Sequence, residues 1–184
     1  MIIIGITGTL GAGKGTVVEY LIEKYGFAHY SAREFISQEI VGRGLPVNRD
    51  TMTEVSNDMR AKNNPGYIIE QLALQAKHTG KNAVIESVRT VGEIDLLKKN
   101  KSFHLFAVDA DQKVRYERIT ERKSHTDNVS FEKFIEDEER EMNSEDPNKQ
   151  NIAACIQRAD YLFLNNGTKE DLQKQVDTVV KEIV

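Results

Sequence analysis

The stretch GTLGAGKGT, Gly8 to Thr16, follows the apolar run Ile2-Ile3-Ile4-Gly5-Ile6 almost at once, and this pairing constrains the chain more than any other feature. A buried strand that ends in a glycine-rich turn and opens a helix aims consecutive backbone N–H groups, and the positive end of the helix, at one point where an anion is stabilised. Gly8, Gly11 and Gly13 permit backbone angles and a closeness of approach that a Cβ would block. Lys14 adds a point charge for terminal phosphates. The segment therefore predicts a nucleotide-binding cradle formed by Gly8, Gly11, Ala12, Gly13, Lys14, Gly15 and Thr16.

One position departs from the usual loop. Ser or Thr normally follows the lysine and holds Mg²⁺, but here Gly15 stands there and Thr16 comes one residue later, rotated by about 100° around the helix. Thr16 is better placed for a phosphate oxygen. Mg²⁺ would then be held mainly by the nucleotide and by water, with Thr16 and a carboxylate in its water shell, which suits an ion that gives up its waters reluctantly.

The remaining chain alternates short apolar runs with helical patterns, the signature of βαβ units and a parallel sheet. Strands are predicted at Ile2–Ile6, Ala28–Tyr30, Ala83–Glu86, Leu105–Asp109 and Tyr161–Leu164, and helices at Lys14–Tyr25, Arg33–Val41, Met52–Lys62, Gly66–Lys77, Val91–Lys99, Gln112–Arg122, Ser130–Met142 and Lys169–Ile183. The expected fold is α/β: a doubly wound five-stranded parallel sheet flanked by helices, one domain over 1–184. Three helices between the second and third strands exceed what a minimal crossover needs, so 31–80 should form a helical acceptor-binding insertion. The polar stretch Lys123–Val129, with His125, separates two charged helices and marks 115–142 as a lid region or a plain surface turn.

With a net charge of −4, the chain has no general basic surface for nucleic acid or an anionic membrane. Its start lacks a basic region before the apolar run, which argues against a secretory signal and for a cytoplasmic protein. The single cysteine, Cys155, reads as a small buried hydrophobe. Oligomeric state is left open.

GTLGAGKGT resembles the loop of adenylate kinase and related nucleoside monophosphate kinases, which end it in Gly-Lys-Gly-Thr. VIESVRTVGEIDLL and ADYLFLNNGTKEDLQKQV resemble small adenylate-kinase-related proteins of archaea, and the closing Asn-Gly-Thr turn is similar to that of dephospho-coenzyme A kinase. The resemblance implies a P-loop kinase that uses ATP and Mg²⁺. Glu86 ends an apolar strand, and in doubly wound sheets the ligand crevice lies outside the carboxyl ends of strands; it is a candidate for the metal's water shell or for positioning the acceptor. The related kinases have Asp there in an Asp-Gly-x-Arg-like stretch, whose arginine matches Arg89 and implies a bidentate contact to the acceptor's phosphate.

Arg115, Arg118 and Arg122 lie on one helical face, either a solvated stripe or a clamp on the migrating phosphoryl group; likeness to kinase lid helices favours Arg118 and Arg122 as catalytic. The phosphate-binding arginine that adenylate kinases carry after the second strand falls at Ser37, leaving Arg33 and Arg60 as substitutes or surface charges, with Ser31 and Glu34 as further acceptor contacts. Asn165 and Gly167 match the base-side turn of dephospho-coenzyme A kinase, or form a turn whose Thr168 caps the last helix. The leading expectation is transfer of the γ-phosphoryl of ATP to a small phosphorylated acceptor, a nucleoside or deoxynucleoside monophosphate. Dephospho-coenzyme A kinase is one alternative, weakened by the lack of an aspartate in YSARE, and a non-catalytic ATP-binding regulatory module is another.

Overall fold

The computed structural model describes residues 1–122 and 130–184, apart from the side chain of Arg122. The expectations placed on the Arg122 side chain, on Lys123–Val129 and on His125 lie outside the described residues. Five strands, β1 (Ile3–Gly8), β2 (Ala28–Ser31), β3 (Ala83–Glu86), β4 (Phe103–Asp109) and β5 (Tyr161–Leu164), pair in parallel in the order β2-β3-β1-β4-β5. The connecting helices are α1 (Lys14–Tyr25), α2 (Ala32–Gly42), α3 (Arg49–Lys62), α4 (Tyr67–Thr79), α5 (Val91–Leu97), α6 (Gln112–Arg122), α7 (Phe131–Met142), α8 (Ile152–Gln157) and α9 (Lys169–Ile183). The expected doubly wound parallel α/β fold is the fold observed.

Neighbouring residues of a strand point to opposite faces, and here both faces are apolar because helices cover both. Ile3, Ile85 and Leu105 pack under α2 to α5 and α8, whereas Ile4, Ile6, Val84 and Phe106 pack under α1 and α9. The two faces leave little spare room around β1. A Cβ built on Gly5 would come within 2.9 Å of the Phe103 ring, so even alanine there displaces core side chains.

The sequence pattern missed one helix and shifted several boundaries by one to three residues, of which three bear on the site. β1 runs on to Gly8 because Thr7 and Gly8 pair with Ala107 and Val108. α3 starts at Arg49 rather than Met52, because Asn48 accepts from the Thr51 N–H and the Thr51 hydroxyl accepts from the Asn48 N–H, a reciprocal cap. α2 likewise starts one residue early, at Ala32, capped by Ser31. α8 is a short helix capped by Asn151, and so short a helix shows no apolar period to read. The central position of β1 sets the carboxyl ends of β3 and β4, at Glu86 and Asp109, on either side of the Gly8–Thr16 loop.

Candidate active site

The loop enters α1 through Gly13, which has φ 101°, offers no side-chain cap and is followed by no acid in the first turn. α2, α3, α5, α7, α8 and α9 each receive a side-chain cap, whereas α1 and α4 start on glycines that offer none. α4 carries Glu70 in its first turn, but α1 has no acid there, so its first N–H groups are left for an outside anion. Three glycines are required by contact as well as by angle, Gly11 because a Cβ there would lie 2.5 Å from the Arg115 carbonyl oxygen. A Cβ on Gly8 would lie 1.9 Å from the Val108 carbonyl oxygen, and one on Gly13 would lie 2.4 Å from Asn165 Nδ2.

The loop is braced from three sides. Asn165 Nδ2 donates to the Ala12 carbonyl at 2.8 Å, Arg115 Nη1 to the Leu10 carbonyl at 3.2 Å, and the Thr9 hydroxyl to Asp109 Oδ1 at 2.6 Å. Arg115 also donates from Nε to the Ala110 carbonyl at 2.7 Å and forms an ion pair with Glu138 of α7. It is therefore a buried brace of the loop and not part of a solvated stripe.

Lys14 Nζ donates to the Gly8 carbonyl at 2.9 Å and the Thr9 carbonyl at 2.6 Å. Burial, with the Arg89 guanidinium as a second cause, pushes its ammonium down to about 7, against partial opposition from Glu141 and Glu86. A lysine held among neutral carbonyls near other cations is a cation that gains by meeting an anion.

A cleft of about 520 Å³ opens beside the loop. Lys14 and Thr16 face it from the loop, Glu86 and Arg89 from the end of β3, and Arg49 and Arg60 from α3. Arg60, expected as an acceptor contact or a surface charge, is buried: Nε and Nη2 donate to Glu93 Oε1 at 3.1 and 3.0 Å, while Nη1 has no partner among the described residues. The other oxygen of Glu93 accepts from the Arg89 and Thr90 N–H groups at 2.7 and 3.0 Å. One fully buried carboxylate thus holds the Arg60 side chain and the Arg89 backbone together.

Arg89 Nη1 donates to Gln150 Oε1 at 2.7 Å and to Glu141 Oε2 at 3.1 Å, and Arg49 Nη2 donates to Glu141 Oε1 at 2.9 Å. Burial alone would raise the Glu141 carboxyl, but Arg89, Arg49 and Lys14 outweigh it and hold the group below its ordinary value. Glu141 is thus an anion of the protein itself, seated among the cleft's cations.

Of the other expected residues, Arg33, Gly11, Gly13, Gly15 and Arg118 also line the cleft. Ser31 donates to Glu86 Oε1 at 2.5 Å and accepts from the Glu34 N–H at 3.2 Å, so it joins the end of β2 to that of β3. Glu34 is exposed and outside the cleft lining. Arg118 donates to the carbonyls of Asn165 at 2.8 Å and Gly167 at 3.2 Å. The Asn165 amide donates to the Ala12 carbonyl of the loop, and Thr168 caps α9 as its neighbours suggested. Burial raises the Cys155 thiol to about 12, in keeping with a small core hydrophobe. Arg49, Asp109, Glu93, Glu141 and Gln150 were not read from sequence. An acid closing an apolar strand was a usable signal for Asp109, and the Thr-x-x-Glu cap for Glu93; Arg49, Glu141 and Gln150 carry none.

A family model described as AAA domain matches residues 4–146. A UPF0200 protein of Methanococcus maripaludis is 27% identical, the alignment covering 100% of this chain and 98% of the relative. Among solved structures, TT1252 from Thermus thermophilus is 20% identical with a TM-score of 0.67, covering 100% of this chain and 98% of that one. Shikimate kinase from Bacteroides thetaiotaomicron is 13% identical with a TM-score of 0.61, covering 99% and 98%. The structural likeness is one of fold, and it is the P-loop kinase fold that the sequence resemblance implied.

Proposed function

We propose, for a chain that belongs to the AAA domain family, that it is a phosphotransferase moving the γ-phosphoryl group of ATP to a small phosphorylated acceptor, a nucleoside or deoxynucleoside monophosphate. The observation that carries this reading is that the uncapped start of α1, with Lys14, opens onto the same cleft as Arg89, Arg49 and Arg60. Anion-binding groups on two walls of one cavity suit a reaction that joins two phosphate-bearing molecules.

The loop amides and Lys14 hold the β- and γ-phosphates of ATP. The glycines that a Cβ would obstruct and the anion-free lysine both fit such a tail. Mg²⁺ would be held by the nucleotide and water, with Thr16 and Glu86 reaching its shell, and it supplies neutralising charge when bound. Arg89 grips the acceptor's phosphate, releasing Glu141 as it does so, while Arg60 supports the same wall. Arg118 adds charge near the loop, and Arg122 is assigned the same role on its position in α6. No covalent enzyme intermediate is required, because alignment and charge stabilisation suffice for phosphoryl transfer.

A second reading is favoured by one observation: no aromatic ring is among the described residues lining the cleft, so the acceptor wall offers no stacking platform for a base. A compact acid or alcohol that carries no base is then the acceptor; dephospho-coenzyme A carries adenine and draws no support from this observation. The test is ADP release from ATP with a panel of ribo- and deoxyribonucleoside monophosphates, dephospho-coenzyme A, shikimate and gluconate. One monophosphate raising the rate well above ATP alone supports the first reading, and a hydroxyl acceptor without a base doing so supports the second. Equal rates with and without every acceptor, alongside ATP binding, would leave an ATP-binding regulatory module.

A further inference from the structure

At the end of β3 the chain turns sharply toward α5, and the turning residue is Ser87, with φ 66°. Left-handed backbone brings a Cβ against the following carbonyl and disfavours every L-residue that glycine could replace. The chain respects this elsewhere: the other positive-φ positions among the described residues are Gly8, Gly11, Gly13, Gly26, Gly44 and Gly80. Ser87 is the one exception.

The conformation itself is imposed by its neighbours. Glu86 is paired with Ile6, Val88 N–H donates to the Ile6 carbonyl at 2.9 Å, and Arg89 N–H is held by Glu93 at 2.7 Å. Glycine would meet those constraints with less strain, so the turn does not account for a side chain here. Nor does packing, because Ser87 is only half-buried, lines the cleft, and makes no side-chain hydrogen bond among the described residues. An unpaired hydroxyl is therefore held in disfavoured backbone between Glu86 and Arg89, both of which also line the cleft. Strain of this kind at the mouth of a site, with no structural return, points to a ligand contact.

We propose that Ser87 is an acceptor-contacting residue: its hydroxyl donates a hydrogen bond to an oxygen of the acceptor's phosphate, beside the contact made by Arg89. This rests on the phosphotransferase reading for the identity of the acceptor, though not for the anion contact itself. A hydrogen bond to a charged phosphate oxygen is charge-assisted and directional, and here it would fix the rotation of a group that Arg89 holds by charge.

The experiment compares Ser87→Gly and Ser87→Ala with the wild type. Thermal unfolding of the empty protein, binding of inorganic phosphate with and without a non-hydrolysable ATP analogue, and acceptor KM for the best member of the panel are measured together. Ser87→Gly should raise Tm by about 2 °C or more, since the strain is relieved, yet weaken phosphate binding and raise acceptor KM about tenfold or more. Affinity for the ATP analogue should not move. Ser87→Ala, which keeps the Cβ and loses only the hydroxyl, should show the same loss of phosphate affinity without the gain in Tm. Unchanged phosphate affinity and acceptor KM in both variants would overturn the assignment and make Ser87 a turn residue only. If no panel member is phosphorylated by the wild type but both variants still lose phosphate affinity, the contact stands and the phosphotransferase reading fails.

Discussion

The wall proposed to hold the donor is one run of consecutive residues, Gly8 to Thr16, and what it offers an anion is mostly backbone N–H at the start of α1. The wall proposed to hold the acceptor is built from side chains on α3, the β3–α5 turn, α7 and the segment before α8, with Arg49, Arg60, Arg89, Glu141 and Gln150 meeting across 101 positions of sequence between Arg49 and Gln150. A backbone site tolerates change in its side chains provided the glycines remain, whereas a side-chain site is only as good as the carboxylates that aim it. The donor wall should therefore depend chiefly on Lys14 among its side chains, with Thr16 second, and the acceptor wall on several residues acting as a unit.

The largest effect should come from Lys14→Ala. Loss of the one charge aimed at the terminal phosphates should lower kcat/KM by about 10³-fold, of order 4 kcal/mol. Tm should not fall, because Lys14 bonds only to loop carbonyls in the empty protein and its burial as a cation costs stability. Retained turnover would break the comparison at its donor end. Arg89→Ala should be the next largest, raising acceptor KM about 10²-fold, near 2.7 kcal/mol, with ATP affinity unchanged. If ATP affinity falls equally, the two walls are not separate and the division drawn between them is wrong.

The same contrast explains what could be read before the structure was known. The loop, the five strands and their parallel sense follow from local spacing, since glycine turns, apolar runs and the helices between them act over a few residues, whereas the strand order β2-β3-β1-β4-β5 does not. Glu86 and Arg89 were visible because they end a strand, where crevices form. Arg49 was hidden because the cap formed by Asn48 and Thr51 lengthens α3 by a turn beyond its apolar period. Glu141 was hidden because it sits in the acidic stretch Phe134–Glu141, which reads as solvated or as a latch to the arginines of α6, and only folding turns this acid against Arg49 and Arg89. The bond from Asn165 to Ala12 left no local trace, because it spans 153 positions.

A pH titration sharpens the donor side. Lys14 sits at about 7 in the empty protein, and a triphosphate beside it favours the charged form, so its pKa rises on binding. Below pH 7 the lysine is already charged, and affinity from this group is flat. Above pH 7 binding takes up a proton, and ATP affinity should fall about tenfold per unit. The unfolded chain keeps that proton to about pH 10.4, so the empty protein should gain stability as pH rises from 7 toward 10. Calorimetry at pH 8 in buffers of different ionisation heat measures the uptake; no uptake would mean that Lys14 is charged from the start. On the acceptor side, Glu141→Gln should tighten inorganic phosphate about three- to tenfold, because an internal anion no longer competes for Arg49 and Arg89. Weaker phosphate binding would instead make Glu141 a support that aims the arginines.

The smallest change tests whether the donor wall is complete without a hydroxyl in the place Gly15 occupies. A Cβ at Gly15 would meet nothing within 4 Å, so Gly15→Ser introduces a side chain without disturbing the loop. Serine in a helix's first turn is favoured over glycine by about 0.5 kcal/mol, and Tm should rise by about 1–2 °C. If Mg²⁺ is held by nucleotide and water, the added hydroxyl supplies one extra ligand to an ion already bound. The Mg²⁺ concentration at half-maximal ATP binding should then fall by no more than about tenfold, with acceptor KM unchanged. A large rise in acceptor KM would show that the open space above Gly15 is part of the acceptor's path, and that the backbone wall and the side-chain wall share a boundary at this residue.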